Sequence, residues 1–218
     1  MKNSSTCIGK FFTERTESRN NRKNGEKHKK KHGEERGGMM DKNKTVIMDG
    51  QAMSRAISRI AHEIIERNSG AQDIVLIGIQ RRGVPFAKRL ADKIFEIENK
   101  KVDVGILDIT FYRDDLSLLA EHPVINGTYI DFIIENKTVI LVDDVLFTGR
   151  TIRAAIDAVF DIARPKAVQL TVMVDRGHRQ LPIKPDYVGK NIPTAFNETV
   201  DVSFEEIDGE DIVTIKGN

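Results

Sequence analysis

Hydrophobic and polar positions in the middle of the chain follow two periods, one typical of helices and one typical of buried strands. The stretch Gln51–Arg67 has apolar residues at helical spacing, and Asp49 just before it is a good N-cap. Val84–Ile97 repeats the helical spacing, and a further helix is predicted from about Thr151 to Ala163. Short apolar runs of strand length separate these helices: Asp73–Ile79, Val102–Thr110, Thr138–Val142 and Ala167–Val174.

This alternation predicts the fold class. Apolar strands that alternate with helices are typical of an α/β protein, with a central, mainly parallel sheet covered by helices on both faces. After Asp175 the pattern becomes irregular and rich in Pro and Gly, and a short hairpin is predicted around Asp208–Gly209. A length of 218 residues suits one domain of ordinary size with additions.

Residues 1–38 differ from the rest in composition. They hold eleven Lys and Arg against five acidic residues, with almost no apolar residue after Phe12. We expect a disordered basic extension, because such a segment buries too little surface to offset its ordering entropy. It could be an arm for nucleic acid. We favour an over-extended start, since purine-rich codons can encode Gly33–Gly38 directly before Met39–Met40, and we expect the domain to span residues 39–218.

Bulk composition excludes several protein classes. The net charge of +1 favours no particular partner, and Cys7, the only cysteine, cannot form an intramolecular disulfide. No apolar run reaches the roughly 18 residues that a membrane span needs. The N-terminus also lacks the apolar core of a secretion signal. We therefore expect a cytoplasmic protein without membrane association.

The strongest chemical signal is the segment Val139–Thr151, VILVDDVLFTGRT. An apolar strand delivers Asp143 and Asp144 at its carboxyl end, where open α/β sheets bind ligands. A Thr-Gly-Arg-Thr turn then leads into a helix whose unpaired N–H groups suit a phosphate. A ribose 5-phosphate meets both demands, with its phosphate in the turn and its hydroxyls on the acids. The alternative is that this segment is only a structural strand-turn-helix with N-capping residues, but such a unit would not require two adjacent acids.

These residues carry a family resemblance. VILVDDVLFTGRT resembles the 5-phosphoribosyl-1-pyrophosphate (PRPP) signature of type I phosphoribosyltransferases, although Phe147 stands where we expect tyrosine in close relatives. Ile77–Gly83 resembles that family's pyrophosphate loop, and Asp108–Leu116 its flexible catalytic loop. Val174–Pro182 and Asp186–Thr194 are more specific, and together the segments are similar to the bifunctional pyrimidine operon regulator/uracil phosphoribosyltransferase family (PyrR). The resemblance covers residues 45–215 and implies the type I phosphoribosyltransferase fold, with a small hood at about residues 175–197.

The resemblance also implies roles for individual residues. Asp143 and Asp144 would hold the ribose hydroxyls and position Mg²⁺, and Arg113, on the catalytic loop, would stabilise the leaving group. Gln80, Arg81, Arg82 and Gly83 would bind pyrophosphate, although a basic turn after a strand is usually a solvated loop. PRPP would be bound along the signature by Asp143, Asp144, Val145, Leu146, Phe147, Thr148, Gly149, Arg150 and Thr151.

For the base, we expect Tyr187 to offer an aromatic face and the Val188 backbone to read the base edge. The implied reaction converts uracil and PRPP to UMP and pyrophosphate. The implied regulation is UMP-dependent binding to pyr operon mRNA, with UMP or UTP as ligands and a homo-oligomer as the assembly. The alternative is a hypoxanthine/guanine-type enzyme without RNA regulation, because such enzymes share the hood pattern Pro-Asp-Tyr-Val-Gly. The residues expected to contact RNA, unless they form an ordinary solvated surface, are Arg55, Ser58, Arg59, His62, Arg179, Lys184 and Lys190.

Overall fold

A computed structural model of the chain describes residues 44–110 and 127–217. The predicted N-terminal extension and Arg113 lie outside these described residues. The helices are α1 (Gly50–Asn68), α2 (Gly83–Glu98), α3 (Arg150–Ile162) and α4 (Glu205–Asp208). The strands are β1 (Lys44–Asp49), β2 (Ile74–Ile79), β3 (Val104–Leu107), β4 (Thr138–Leu146), β5 (Ala167–Asp175), β6 (Tyr187–Asn191), β7 (Thr199–Ser203) and β8 (Ile212–Lys216).

The main sheet has five strands in the order β3-β2-β4-β5-β6, and every neighbouring pair is parallel. This confirms the predicted parallel sheet. Two predicted boundaries need correction: β3 covers only Val104–Leu107, and β4 continues past Val142 through both acids to Leu146. The fifth strand, β6, lies inside the segment that the sequence assigned to the hood.

Helices cover both faces of this sheet, as predicted. Alternate residues of β4 point to opposite sides: Ile140 packs in one core with α1 and α2, and Leu141 packs in a second core with α3. The three long helices begin and end within two residues of their predicted bounds. Asp49 caps α1, where its Oδ1 accepts a 2.7 Å hydrogen bond from the Ala52 N–H.

A second, antiparallel sheet joins both ends of the described chain in the order β1-β8-β7. Strand β1 was not predicted from the sequence. The hairpin predicted around Asp208–Gly209 is partly right, because β7 and β8 are antiparallel neighbours. Their connection, however, contains the one-turn helix α4, which ends at Gly209 with a φ of 80°. Of the helices that the structure describes, none is both long and apolar enough to cross a membrane.

Candidate active site

The two acids lie side by side near the carboxyl end of β4, the middle strand of the main sheet. Asp143 is 7% exposed. Its Oδ1 accepts a 3.0 Å hydrogen bond from the Asp144 N–H, and the Asp144 Oδ1 accepts one of 2.8 Å from the Val145 N–H. Both carboxylates are therefore held by the backbone of their own strand, with oxygen atoms left for a ligand.

Their electrostatic setting is unfavourable in the absence of a ligand. Burial raises the pKa of Asp143 well above its ordinary value, and the neighbouring Asp144 charge raises it further. Burial also raises the pKa of Asp144, against the lowering effects of the Val145 N–H and of Arg82. Two adjacent buried carboxylates call for a cation or for hydroxyl donors.

The donor set fits Mg²⁺ brought in with a phosphorylated ligand. Mg²⁺ prefers oxygen ligands and is commonly bound through one or two carboxylates together with substrate phosphates and water. Asp143 and Asp144 would supply those carboxylates. The described part of the chain has no cluster of three or more His, Cys, Asp or Glu side chains suited to a metal ion.

The turn after β2 faces these acids across a cavity of about 340 Å³, lined by Gln80, Arg81, Arg82, Asp143 and Asp144. The Gln80–Arg81 peptide bond is cis. The turn lies against β4 because Gly83 has no side chain: a Cβ there would lie 2.2 Å from the Val142 carbonyl oxygen. Two segments that the sequence assigned separately, the pyrophosphate loop and the acids, therefore form opposite walls of one cavity.

The two arginines of this turn differ in their surroundings. Both Nε and Nη2 of Arg82 donate 3.1 Å hydrogen bonds to the Asp208 carboxylate on α4. Arg81 is exposed and has no ion pair or side-chain hydrogen bond with any described residue. Arg82 therefore has a fixed orientation in the cavity wall, whereas Arg81 can reorient toward a ligand.

The Thr-Gly turn between β4 and α3 has the backbone geometry of an anion-binding site. Gly149 has a φ of 92°, in the region that favours glycine, and it is the N-cap of the 13-residue helix α3 without a side-chain cap. The Thr148 Oγ1 accepts a 3.4 Å hydrogen bond from the Arg150 N–H. The next two N–H groups of α3, those of Thr151 and Ile152, precede the first intrahelical hydrogen bond, which Arg153 donates to the Gly149 carbonyl, and they are oriented to bind a phosphate.

Arg179 holds this turn in place through hydrogen bonds to backbone carbonyls. Its Nη1 donates to the Phe147 carbonyl at 2.7 Å and its Nε to the Ile183 carbonyl at 3.0 Å, while its Nη2 lies 2.5 Å from the Asp175 carboxylate. The Thr148 carbonyl also accepts a 3.0 Å hydrogen bond from the Gln180 N–H. The structure therefore places Arg179 among the backbone carbonyls of the phosphate turn, and not on the surface where RNA contact was expected.

An aromatic cluster, formed by Phe147, His178 and Phe196, lies beside the turn, with ring centroids 5.6 to 5.9 Å apart. The Arg176 guanidinium lies 4.1 Å from the Phe147 ring centroid. Arg176 is 6% exposed and donates to the Glu198 carbonyl at 2.5 Å, which holds the segment that carries Phe196. Sequence reasoning missed this cluster, although Phe196 in a polar, Pro-containing segment was a usable signal.

Tyr187 and Val188 are not brought to the cavity. Tyr187 is 3% exposed, and its hydroxyl donates to the Gln169 Oε1 at 2.7 Å and accepts from the Asn68 Nδ2 at 3.2 Å. The Val188 carbonyl accepts a 2.7 Å hydrogen bond from Arg59. The expected base-binding role does not fit these contacts, because Tyr187 begins strand β6 and its ring packs in the core shared with α1 and α2.

The remaining residues expected at an RNA surface divide into two groups. Arg55 and His62 are exposed on α1, without a side-chain hydrogen bond or ion pair to any described residue. Arg59 lies between them but is committed to Glu63, Val188 and Gly189. The Lys190 Nζ donates to the Ile47 carbonyl at 3.2 Å, the Ser58 hydroxyl donates to the Ser54 carbonyl at 3.0 Å, and Lys184 is exposed.

Comparison with known proteins identifies the family. The family model of the phosphoribosyl transferase domain matches residues 43–207. The bifunctional protein PyrR of Acetivibrio thermocellus is 65% identical over 173 residues, which is 79% of this chain and 94% of that protein. The bifunctional protein PyrR of Clostridioides difficile is 61% identical over 173 residues, covering 79% of this chain and 98% of that protein.

Solved structures agree on the fold. The hypoxanthine phosphoribosyltransferase of Trypanosoma cruzi superposes with a TM-score of 0.60 at 20% identity, over 80% of this chain and 97% of that one. A hypoxanthine-guanine phosphoribosyltransferase from Bacillus anthracis gives a TM-score of 0.56 at 22% identity, over 69% of this chain and 85% of that one. These identities are low and support the fold alone. Since the family model and the PyrR proteins each match most of the chain, it belongs to the phosphoribosyltransferases and, within them, to the bifunctional PyrR proteins.

Proposed function

We propose that this protein transfers the phosphoribosyl group of PRPP to uracil, giving UMP and pyrophosphate, and that it regulates pyr operon mRNA by binding it in a UMP-dependent manner. The observation that carries the enzymatic part is the pair Asp143 and Asp144, which faces the pyrophosphate loop and precedes the phosphate turn. This arrangement offers separate places for the ribose hydroxyls, the pyrophosphate and the 5-phosphate of PRPP.

The reaction needs little covalent chemistry from the protein. A uracil nitrogen displaces pyrophosphate at the anomeric carbon through a state with oxocarbenium character, so the protein must position both reactants and balance charge. Asp143 and Asp144 hold the ribose, the start of α3 holds the 5-phosphate, and Arg81 and Arg82 face the pyrophosphate. Mg²⁺, when bound with PRPP, would neutralise part of the leaving group's charge. Arg113 remains our candidate for a further leaving-group contact.

We propose that the base stacks on the aromatic cluster rather than on Tyr187. A flat base stacks well on aromatic rings, and the cluster follows the carboxyl ends of β4 and β5, on the acids' side of the sheet. The Phe196 ring is 68% exposed, which leaves its surface open to such a ligand. His178 is already committed by a 2.7 Å contact between its Nε2 and the Thr194 carbonyl, so its ring has a set orientation.

The regulatory part is supported by the exposed face of α1. Arg55 and His62 are exposed there without described partners, and Arg59 joins this face to β6, where Lys190 lies. Such side chains can reach phosphates or unstacked loop bases. UMP is the product of the proposed reaction, so the site that makes it can also sense it, and linkage then requires UMP and RNA to strengthen each other's binding.

A purine base is the alternative substrate. The feature that suggests it is the hood pattern Pro-Asp-Tyr-Val-Gly at residues 185–189, which hypoxanthine-guanine enzymes share. The identity of 57–65% to bifunctional PyrR proteins weighs more heavily, because it extends across the whole domain. Uracil is therefore the favoured base.

The acid pair provides the first test. Asp143→Asn combined with Asp144→Asn should lower uracil-dependent pyrophosphate release by at least about a thousandfold, a loss comparable with that of a transition-state charge contact. Asp157→Asn, which affects an exposed i,i+4 pair with Arg153 on α3, should leave turnover unchanged. Retention of ordinary turnover by the doubly substituted protein would remove the acids from the reaction.

A further inference from the structure

Arg82 lies between two carboxylates that come from distant parts of the chain. On one side, Asp208, which lies 126 residues away in the sequence, accepts the two 3.1 Å hydrogen bonds that Arg82 donates. On the other, Arg82 lines the acid cavity together with Asp144. The Asp208 hydrogen bond raises the pKa of Arg82 most, and the Asp144 charge raises it further. Arg82 therefore connects α4 of the small sheet to the acids of the main sheet.

Asp208 is itself held firmly. Its Oδ2 accepts a 3.1 Å hydrogen bond from the Phe204 N–H, and its own N–H donates to the Phe204 carbonyl at 2.7 Å. The Phe204 ring is fully buried and stacks on Phe86 of α2 at a centroid distance of 5.9 Å. The carboxylate that holds Arg82 is thus attached to the protein core.

A neighbouring set of ion pairs fixes α4 against α2 without reaching the cavity. Arg89 donates to both oxygens of Glu206 at 2.7 Å and to both oxygens of Asp211 at 2.8 Å. These contacts stabilise the same one-turn helix, but Arg89 does not line the acid cavity. Glu206 therefore offers a matched control for Asp208.

We propose that Asp208 is a positioning residue of the transfer reaction, which holds the Arg82 guanidinium in the cavity wall so that the pyrophosphate group of PRPP meets a cation already in place. An unrestrained arginine loses side-chain entropy when it binds, and a guanidinium held in advance by a bidentate carboxylate avoids much of that loss. Arg81, without such a partner, is the arginine that moves to the ligand. The inference rests on the proposed use of PRPP.

The direct test is Asp208→Asn. The asparagine Oδ1 can still accept from the Phe204 N–H, but the side chain cannot accept both Arg82 donors as a carboxylate. We expect the Kd for PRPP, measured by calorimetry with Mg²⁺, and the KM for PRPP to rise at least about tenfold, the lower end of the range for a hydrogen bond to a charged group. The KM for uracil should stay constant. Asp208→Glu should restore part of the PRPP affinity, and Glu206→Gln should leave it unchanged.

Combining Asp208→Asn with Arg82→Ala separates positioning from a general structural role. If Asp208 acts through Arg82, the double variant should bind PRPP no more weakly than Arg82→Ala alone. The inference is overturned if Asp208→Asn binds PRPP as tightly as the unmodified protein, if it lowers kcat with the KM for PRPP unchanged, or if its effect persists in the Arg82→Ala background. The proposed function fails on a different result, namely no pyrophosphate release by the unmodified protein with uracil.

Discussion

At the scale of single residues, the acid pair carries a cost in stability that only a ligand offsets. Asp143 is buried beside a second carboxylate, and its pKa is raised well above its ordinary value because burial disfavours the charged form. At neutral pH the folded protein must therefore either hold this charge less favourably than the unfolded chain does or bind a proton that the unfolded chain has released. Residues with this property concentrate at functional sites.

The stability of Asp143→Asn tests this cost. Because the pKa is higher in the folded than in the unfolded state, the unfavourable contribution is absent below the unfolded value of about 4 and grows as the pH rises toward the raised folded value. Without Mg²⁺ or PRPP, Asp143→Asn should therefore unfold at a higher temperature than the unmodified protein at neutral pH, by about 2–4 °C for each kcal/mol. Thermal unfolding from pH 4 to pH 8 measures the difference, which should shrink toward the acid end. An equal or lower melting temperature at neutral pH would contradict it.

Which site residues the sequence could predict depended on their separation along the chain. Asp143, Asp144 and the Thr148–Thr151 turn form one continuous segment, and the structure has the acids near the end of β4 and the turn at the start of α3. The partner of Arg82 lies 126 residues away, and the Phe147 carbonyl that occupies Arg179 lies 32 residues away. Local patterns contain no information about such pairings, so the sequence and its family resemblance predicted ligand contacts for both arginines but neither of these protein partners.

At the scale of elements, the long periodic segments were predicted well and the short strands were not. The three long helices and the four apolar strands of the main sheet have strong periodicity. In contrast, β6 has five residues, YVGKN, of which three are Gly, Lys or Asn. Its position at the sheet edge, next to β5, is decided by pairing with that strand rather than by its own composition. This is why Tyr187 was assigned to the hood although it packs in the core.

The exposed face of α1 carries the RNA prediction. Arg55→Ala and His62→Ala should weaken UMP-dependent binding of pyr operon RNA and leave uracil transfer unchanged, because neither residue reaches the acid cavity. The loss of one phosphate contact at Arg55 should also lower the slope of affinity against salt by about one. Gel-shift titration at several salt concentrations, with and without UMP, measures both effects.

Two further variants make that experiment specific. Arg153→Ala removes an exposed arginine from α3 and should leave RNA binding unchanged. Arg179→Ala should reduce uracil transfer, since the phosphate turn loses its clamp. If Arg55→Ala and His62→Ala bind the RNA as tightly as the unmodified protein, this face is only a solvated helix surface.

At the scale of the whole molecule, the small sheet connects the ends of the described chain to the active site. β1 leads directly into α1, and β8 pairs with both β1 and β7. The α4 connection between β7 and β8 then reaches the pyrophosphate loop through Asp208 and Arg82. The sequence predicted the parallel sheet and a hairpin in this second sheet but not β1, because β1 pairs with β8 across more than 160 residues of sequence.

The central claim is that this arrangement transfers phosphoribose to uracil. Its most direct test incubates the unmodified protein with PRPP and Mg²⁺ and, separately, with uracil, hypoxanthine or orotate, and measures released pyrophosphate together with the nucleotide formed. We predict pyrophosphate release with uracil, matched mole for mole by UMP, and no nucleotide above background with the other two bases. Release of pyrophosphate with hypoxanthine and none with uracil would assign the site to a purine enzyme. If none of the three bases gives pyrophosphate release, the protein does not carry out this transfer.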